Sequence, residues 1–342
     1  MKKKYILLNA MFIIMALILL TSCGKSGVGS NDGESLKKVN IGTQRIPNGE
    51  KIAIDKKYFE EEFGVEVNII EFDAGDIRNA LISKDIDFAH LGVSSGVLGI
   101  ASGIEAEVIW IHEVIGEAEQ LVVQKDSNIK STKDLVDKKV ATAFSTTTHY
   151  SLQKALELNG LSDKDLTVYD MQMADIFAAW DRGDIDAAYV WEPTLSILLE
   201  DGEAILTSGE LAKEGIVTSN IEIVRTDFAK NHPEIVTGYI KAVNKAVKLY
   251  KEDHAEAVTS IAQQLNISEE EAAAQSSGSV WLDAEEQLGD AYFGTSEKQG
   301  DLPNSLKDIA DFLYEQKSLA KEPDLETFEK AVNPSYIEEA IK

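Results

Sequence analysis

The sequence predicts a two-lobed α/β protein in which each lobe is a mixed, mostly parallel β-sheet flanked by helices. The first observation is that short β-rich runs alternate with helical segments, which is typical of parallel β-α-β units. The second is an internal repeat. Asp-Ile-Asp-x-Ala occurs at residues 85–89 and again at 184–188, and Asp-Ile-x-x-Ala precedes each copy at 76–80 and 175–179. Two gapless copies at one offset predict two lobes of related structure.

The elements follow from the same periodicities. A strand, a helix, a strand, a helix and a strand fit each copy, because apolar residues alternate in some runs and recur at helical spacing in others. From Asp227 onwards the pattern becomes helical, with Ile240, Val243 and Val247 on one face. Ser268 and Glu271 form a capping-box pattern before another helix. The predicted strands lie at 39–43, 66–72, 87–91, 107–112, 120–124, 139–143, 166–170, 187–191, 203–207 and 220–224.

The second copy is bracketed by chain that has to return to the first lobe. We therefore predict that residues 37–123 and 222–342 form lobe 1 and that residues 124–221 form an inserted lobe 2. Two strands, near residues 122 and 221, would cross between the lobes and act as the hinge.

The N-terminus has the pattern of an export signal. Three lysines precede an apolar run that is too short for a comfortable membrane span, and the run ends in Leu-Thr-Ser-Cys, a lipobox-like sequence. We expect residues 1–22 to be a signal peptide and 23–36 to be a lipidated Cys23 with a Gly/Ser-rich flexible tether. The alternative is an uncleaved anchor with an incidental cysteine. The first interpretation predicts an extracytoplasmic protein that is held at the membrane by lipid.

Composition excludes several function classes. The formal net charge of −26, without a basic patch, argues against nucleic-acid binding. The only cysteine is Cys23, and the five histidines have no metal-ligand spacing. No phosphate loop, nucleophile elbow or C-x-x-C motif is present. A hydrolase using His149 would need a base acting on its own neighbour Thr148, which is a poor geometry. We therefore expect no enzyme, no cofactor and no metal.

Candidate ligand contacts follow the carboxyl ends of the predicted strands, where open α/β sheets bind ligands. Ser94-Ser95 and residues 145–148 are hydroxyl-rich, and each precedes a helix. A helix start favours an anion, but serine and threonine are also the ordinary N-cap residues, so both interpretations stand. Trp191 is either a wall of a cleft or a core residue. Asn220 and Glu222 share a face of the returning strand.

Three segments resemble a known family. These are GEAEQLVV at 116–123, FSTTTHYSLQKAL at 144–156 and AAWDRGDIDAAYVWEP at 178–193. They are similar to the taurine-binding proteins of bacterial ABC importers, within the aliphatic-sulfonate substrate-binding family, over roughly residues 39–247. The resemblance implies the periplasmic binding protein fold of the second structural type.

The resemblance also implies a binding site in which hydroxyls and backbone N–H groups at helix starts hold a sulfonate. Val93 and Ser95 depart from the Leu-Gly-Ser-Ser-Pro pattern of the family. Asn220 stands where an aspartate would pair with the taurine amine. Either Glu119 or Glu222 supplies that charge, or the ligand lacks the amine, as a simple alkanesulfonate or isethionate does. The ligand-binding residues expected together are Gln44, Ser94, Ser95, Glu119, Thr146, Thr147, Thr148, His149, Trp191, Asn220 and Glu222.

The expected function is therefore capture of taurine or a related small aliphatic sulfonate between two lobes, and its delivery to an ABC permease and through it to the ATPase. We expect a monomer. The alternative within the same fold is a binding protein for another small anion, such as nitrate, or for a heteroaromatic precursor that stacks on Trp191.

Overall fold

The computed structural model describes residues 36–73 and 76–342. Within these residues the chain forms two mixed β-sheets, one of six strands and one of five, with helices packed on them. The predicted fold class is confirmed. The predicted signal peptide, Cys23 and the predicted tether up to residue 35 lie outside the described residues.

The six-stranded sheet has the order β11-β4-β10-β3-β1-β2. The strands β1, β2 and β3 are parallel, while β10 runs antiparallel to both β3 and β4. β11 closes the far edge against β4. Its strands are β1 (Lys38–Thr43), β2 (Glu66–Glu71), β3 (Phe88–Gly92), β4 (Ala106–Ile115), β10 (Ser219–Arg225) and β11 (Ser279–Val280).

The five-stranded sheet has the order β7-β6-β8-β5-β9. It repeats the parallel β2-β1-β3 arrangement as β7-β6-β8, and β5 then runs antiparallel to β8 and β9. Its strands are β5 (Glu119–Gln124), β6 (Lys139–Thr142), β7 (Thr167–Asp170), β8 (Ala187–Trp191) and β9 (Gly202–Thr207).

Helices cover the faces of both sheets, and a 3₁₀ helix at Thr132–Leu135 precedes β6. The capping box predicted at Ser268 is present. The α-helices among the described residues are α1 (Gly49–Asp55), α2 (Tyr58–Phe63), α3 (Ile77–Ile82), α4 (Val93–Ala101), α5 (Thr147–Leu158), α6 (Met173–Asp181), α7 (Thr194–Leu198), α8 (Ser208–Lys213), α9 (Thr226–Asn231), α10 (Pro233–Glu252), α11 (His254–Leu265), α12 (Glu269–Ser276), α13 (Ala284–Gln287), α14 (Leu302–Glu315), α15 (Leu325–Ala331) and α16 (Ser335–Ala340).

The repeated Asp-Ile-Asp motif has the same structural role in both sheets. The second aspartate of each copy accepts a hydrogen bond from a backbone N–H of the first strand, Asp87 from Asn40 and Asp186 from Lys139, both at 2.8 Å. The isoleucine between the aspartates is buried in each case. The motif therefore ties the third strand to the first in both sheets.

The predicted lobe boundaries are wrong by a few residues. Residues 119–123 were placed in lobe 1, but β5 pairs with β8 and β9 of the second sheet. Residues 219–221 were placed in lobe 2, but β10 lies wholly in the first sheet. The apolar run around Val122 fits either sheet equally well. The alternation therefore predicts a strand here, but not which strands it pairs with. The crossings lie instead at residues 116–118 and after β9.

Within the part of the chain that the structure describes, no helix combines the length and the apolar character needed to cross a membrane.

An aromatic cluster packs between the first sheet and the helices α9 and α10, and its loss should lower stability. Phe88 is fully buried, with its ring stacked on Tyr239 at 4.7 Å and edge-on to Phe228 at 5.5 Å. Phe88→Ala is expected to lower the free energy of unfolding by about 3–5 kcal/mol, because it leaves a cavity among rings held by other contacts. Urea unfolding measures the loss. Phe177→Ala is the matched control, since Phe177 is 44% exposed and should cost less than about 1 kcal/mol. Equal losses would contradict the assignment.

Candidate ligand-binding site

A cavity with about 650 Å³ of empty space, its open mouth included, lies where the carboxyl ends of β1, β3, β6 and β8 face one another. This is the position at which open α/β sheets bind ligands. Both sheets contribute to the wall. The lining residues are Gln44, Ile46, Pro47, Gly92, Ser95, Glu113, Ile115, Ala118, Glu119, Thr146, Thr147, Trp191, Glu192, Asn220, Gln275 and Ser279.

Two helix starts open into the cavity, one from each sheet. Helix α4 begins after Gly92, and α5 begins after Thr146. Gly92 has no side chain, and the Thr146 hydroxyl does not accept from a backbone N–H of α5, so the first backbone N–H groups of both helices are left to other partners. The two starts lie close together, because a Cβ at Gly92 would sit 3.4 Å from the methyl group of Thr147. The helix dipoles make this end of the cavity favourable for an anion.

Three carboxyl groups line the same cavity. Glu113 is 1% exposed and Glu119 is 5% exposed, while Glu192 is half-buried. Burial is the main cause that raises the pKa of Glu113 to about 8 and that of Glu119 to about 7. Burial also raises the pKa of Glu192. No lysine, arginine or histidine stands among the described lining residues. The cavity therefore combines an anion-favouring end with carboxyl groups that lack a cationic partner in the wall.

Most of the predicted contacts lie at this cavity. Gln44, Ser95, Glu119, Thr146, Thr147, Trp191 and Asn220 all line it. Trp191 is half-buried and forms part of the wall, next to Glu119 on the adjacent strand. The amide nitrogen of Gln44 donates a hydrogen bond to the backbone carbonyl of His90 at 2.9 Å. The Thr147 hydroxyl donates to Glu119.

Four predicted contacts do not reach the cavity. Ser94 and Thr148 are fully buried, and the Thr148 hydroxyl accepts a hydrogen bond from Thr142 at 2.8 Å. Their neighbours Ser95 and Thr147 line the wall instead, because successive residues of a helix point in different directions.

His149 is the third of these residues. Its ring stacks on Phe144 at 4.2 Å and meets the edge of Phe312 in α14 at 5.2 Å. Burial lowers its pKa to about 4, so the imidazole is neutral. It packs the second sheet against the C-terminal helices instead of lining the cavity.

Glu222 is the fourth. It lies two residues beyond Asn220 along β10 and is fully buried, where the Tyr239 hydroxyl donates to it at 2.7 Å and His112 contacts it at 2.8 Å. Glu222 lies on the same face of β10 as Asn220, as the sequence indicated, but the cavity is at the end of the strand where Asn220 lies. The expectation that Glu222 supplies charge to a ligand is therefore wrong.

Sequence reasoning missed Glu113, Glu192, Gln275 and Ser279. In the sequence, Glu113 stands out only because it is adjacent to His112, and strand alternation places the two side chains on opposite faces of the sheet. In the ladder Asn220 is opposite Glu113 and Ile221 is opposite Ile111, so that His112 is skipped. Such a bulge redirects side chains and has no reliable sequence signal. Gln275 and Ser279 come from the C-terminal region, which carried no motif.

A family model described as the substrate-binding domain of ABC-type glycine betaine transport systems matches residues 37–276. The chain belongs to this family of ABC-transporter substrate-binding proteins. It is 32% identical over 285 residues to the taurine-binding periplasmic protein of Escherichia coli, covering 81% of this chain and 86% of the relative. It is 30% identical to an aliphatic sulfonates-binding protein assigned in Bacillus subtilis, covering 70% and 73%.

Solved structures show the same fold. The periplasmic aliphatic sulphonate binding protein SsuA from Escherichia coli superposes with a TM-score of 0.71 at 21% identity, covering 86% of this chain and 92% of that one. The desulfurization enzyme DSZB superposes with a TM-score of 0.64 at 13% identity, covering 90% and 99%. Because the fold hosts both a binding protein and an enzyme, function has to be argued from the site.

The buried carboxyls generate a pH prediction. Their pKa values in the fold, about 8 for Glu113 and about 7 for Glu119, exceed the usual 4.5, so between pH 5 and 8 these two groups hold more protons in the folded state than in the unfolded state. Their contribution to the free energy of unfolding should therefore fall as pH rises through this window, by up to about 1.4 kcal/mol per pH unit for each proton. Urea unfolding at pH 5, 6, 7 and 8 measures the slope.

Glu113→Gln should make that slope shallower. Glu271→Gln is the control. Glu271 is an exposed carboxyl whose pKa is lowered by its hydrogen bonds to Ser268, so its replacement shifts stability without changing the slope above pH 5. A Glu113→Gln slope equal to that of the unmodified protein would contradict the prediction.

Proposed function

We propose that this protein is an extracytoplasmic substrate-binding lipoprotein that captures taurine, or a closely related small aminosulfonate, between its two lobes and delivers it to an ABC permease. The observation that carries the proposal is that one cavity holds both the starts of two helices, which favour an anion, and buried carboxyl groups without a cationic partner in the wall. Taurine is a short zwitterion with a sulfonate at one end and an ammonium at the other. The cavity offers groups for each of them.

The sulfonate end is supported by the two helix starts. Backbone N–H groups after Gly92 and Thr146 converge on one region, and Ser95 adds a hydroxyl close to them. Neutral donors and dipoles suit a weakly basic sulfonate, which accepts several hydrogen bonds and needs no proton. The two relatives above, whose names refer to taurine and to aliphatic sulfonates, support the same ligand class.

The ammonium end is supported by the carboxyl groups. A bare anion such as nitrate would have to share a largely buried cavity with Glu113 and Glu119, which repel it strongly wherever they are ionised, above about pH 8 and about pH 7 respectively. This observation does not favour the nitrate-like alternative. A heteroaromatic ligand would need a stacking surface, and Trp191 is the only aromatic residue among the described lining residues.

Glycine betaine fits poorly for a related reason. Quaternary ammonium groups are recognised by cages of several aromatic rings, and they have no N–H donor for a carboxylate. One half-buried tryptophan is not such a cage. Enzymatic activity is not favoured either, because the described lining residues include no histidine, cysteine or lysine to act as base or nucleophile.

Capture follows from closure of the lobes. Each lobe brings one helix start, and residues of both sheets wall the cavity. A ligand stabilises the closed arrangement only through contacts that it makes with both lobes at once. We propose residues 116–118 and the segment after β9 as the hinge.

Calorimetric titration tests the ligand class. We expect taurine to bind, isethionate and ethanesulfonate to bind at least about tenfold more weakly because they lack the ammonium group, and glycine betaine to give no heat. The three sulfonates share the anionic group, so they control for one another. Heat from glycine betaine without heat from taurine would overturn the proposal.

Lipid anchoring has a separate test. Cells expressing the full-length chain should incorporate labelled palmitate into the protein, which should partition with membranes. Cys23→Ser should abolish both the label and the membrane partition, because no other cysteine is available for acylation. A variant that stays on membranes would indicate an uncleaved apolar anchor instead.

A further inference from the structure

The three carboxyl groups of the cavity differ in how far their oxygens are already bonded. Both oxygens of Glu192 accept hydrogen bonds from the Ser196 hydroxyl, at 2.9 and 2.7 Å. One oxygen of Glu119 accepts from Thr147, and the other accepts from Ser208 at 3.4 Å. Glu113 accepts one hydrogen bond, and its Oε2 has no partner among the described residues. Glu113 therefore retains the largest unused hydrogen-bonding capacity.

Asn220 holds Glu113 in place. The two residues lie directly opposite each other on the antiparallel strands β10 and β4, so their side chains share one face. The Asn220 amide nitrogen donates to Glu113 Oε1 at 2.5 Å, which leaves the amide oxygen as an acceptor. That oxygen lies at the cavity wall, 3.5 Å from where a Cβ of Gly92 would stand. A carboxylate and a fixed amide oxygen together offer two acceptors to an ammonium group with three donors.

The surroundings of Glu113 compensate its charge only in part. Glu50 and Glu119 raise its pKa further after burial, and the hydrogen bond from Asn220 and the charge of Lys51 lower it. Lys51 is itself buried, and its ammonium donates to Thr43 at 2.5 Å, so it is already engaged. Burying an unpaired carboxylate is unfavourable, and a cationic ligand would supply the missing partner.

We propose, on the basis of the proposed function, that Glu113 is the residue that selects ligands carrying an ammonium group, and that Asn220 is a positioning residue for its carboxylate. Glu119 then serves chiefly to orient the Thr147 hydroxyl at the start of α5. Selectivity between taurine and an amine-free sulfonate of similar size is set at Glu113.

The experiment compares taurine with ethanesulfonate by calorimetric titration of the full-length protein, its Glu113→Gln and Glu119→Gln variants, and, as control, Glu326→Gln, which changes an exposed carboxyl on α15 outside the cavity. Glu113→Gln should weaken taurine roughly 10- to 100-fold and leave ethanesulfonate within about threefold, since only taurine loses a charge-assisted hydrogen bond. Glu119→Gln should change both ligands by similar factors, and Glu326→Gln should change neither by more than about threefold. Melting temperatures check that each variant folds.

In a second experiment the carboxylate is moved from β4 to the opposite residue on β10. Glu113→Gln combined with Asn220→Asp places a carboxylate on the opposite residue of the same ladder, and it should restore at least part of the preference for taurine.

The preference of the unmodified protein for taurine should also increase from pH 6 to pH 8.5, as Glu113 becomes charged. Asn220→Ala should flatten this pH dependence, which a purely structural role would not do.

The outcomes separate the two proposals. If the unmodified protein binds taurine and Glu113→Gln weakens taurine and ethanesulfonate equally, the role of Glu113 is refuted while the proposed function stands. The same holds if Glu119→Gln alone removes the preference. If the unmodified protein binds neither sulfonate, the proposed function fails and this inference fails with it.

Discussion

The convergence of three glycines at the crossing between the sheets is the constraint on which the binding site depends. The N–H groups of Gly116 and Ala118 both donate to the carbonyl of Gly278, at 3.0 and 2.9 Å, and the N–H of Gly209 donates to the carbonyl of Gly116 at 3.1 Å. A Cβ at Gly278 would stand 2.7 Å from the backbone nitrogen of Ala118. Backbones approach this closely only where no side chain intervenes.

This junction fixes the wall of the cavity. Glu113 and Ile115 precede it on β4, Glu119 follows it on β5, and Gln275 and Ser279 flank Gly278 in the C-terminal region. Segments that are distant in sequence are thus held in one register by backbone hydrogen bonds. A ligand that touches both lobes meets residues whose spacing is set by the main chain, so less conformational entropy is lost on binding.

Outside the cavity, a second contact between the lobes supports the closed arrangement. His149 and Tyr150 of α5 pack against Phe312 of α14, at 5.2 and 5.3 Å between ring centroids, and Ser145 contacts Ser318 at 3.2 Å. Helix α14 packs on α4, which follows β3 of the first sheet. These protein contacts join the second sheet to the C-terminal helices without any ligand.

The sequence predicted the strands and the repeat because both depend on local periodicity. Asp87 and Asp186 could be assigned to structure since the same residue at the same offset implies the same backbone contact. The lobe boundaries could not be read in the same way, since a run such as residues 121–123 is buried in either sheet. Alternation identifies the face of a strand, but it does not say where along that face the sheet ends and the cavity begins. For this reason Glu222 was expected at the site although it lies deeper in the sheet. Glu113 was overlooked because the ladder skips His112, which the sequence does not reveal.

The electrostatics of the cavity explain why a strongly acidic protein can bind an anionic group. The charge of −26 acts over the whole surface, but it is screened over about 10 Å at moderate ionic strength. Inside the cavity the nearest donors are backbone N–H groups at two helix starts, which attract a sulfonate without a positive side chain. A lysine or arginine in the wall would pair with Glu113 or Glu119 and remove the acidic side of the site. Because the donors at the helix starts are backbone groups, the proposed sulfonate contact leaves Glu113 without a cationic partner in the wall, as the proposed selection of a zwitterion over a simple anion requires.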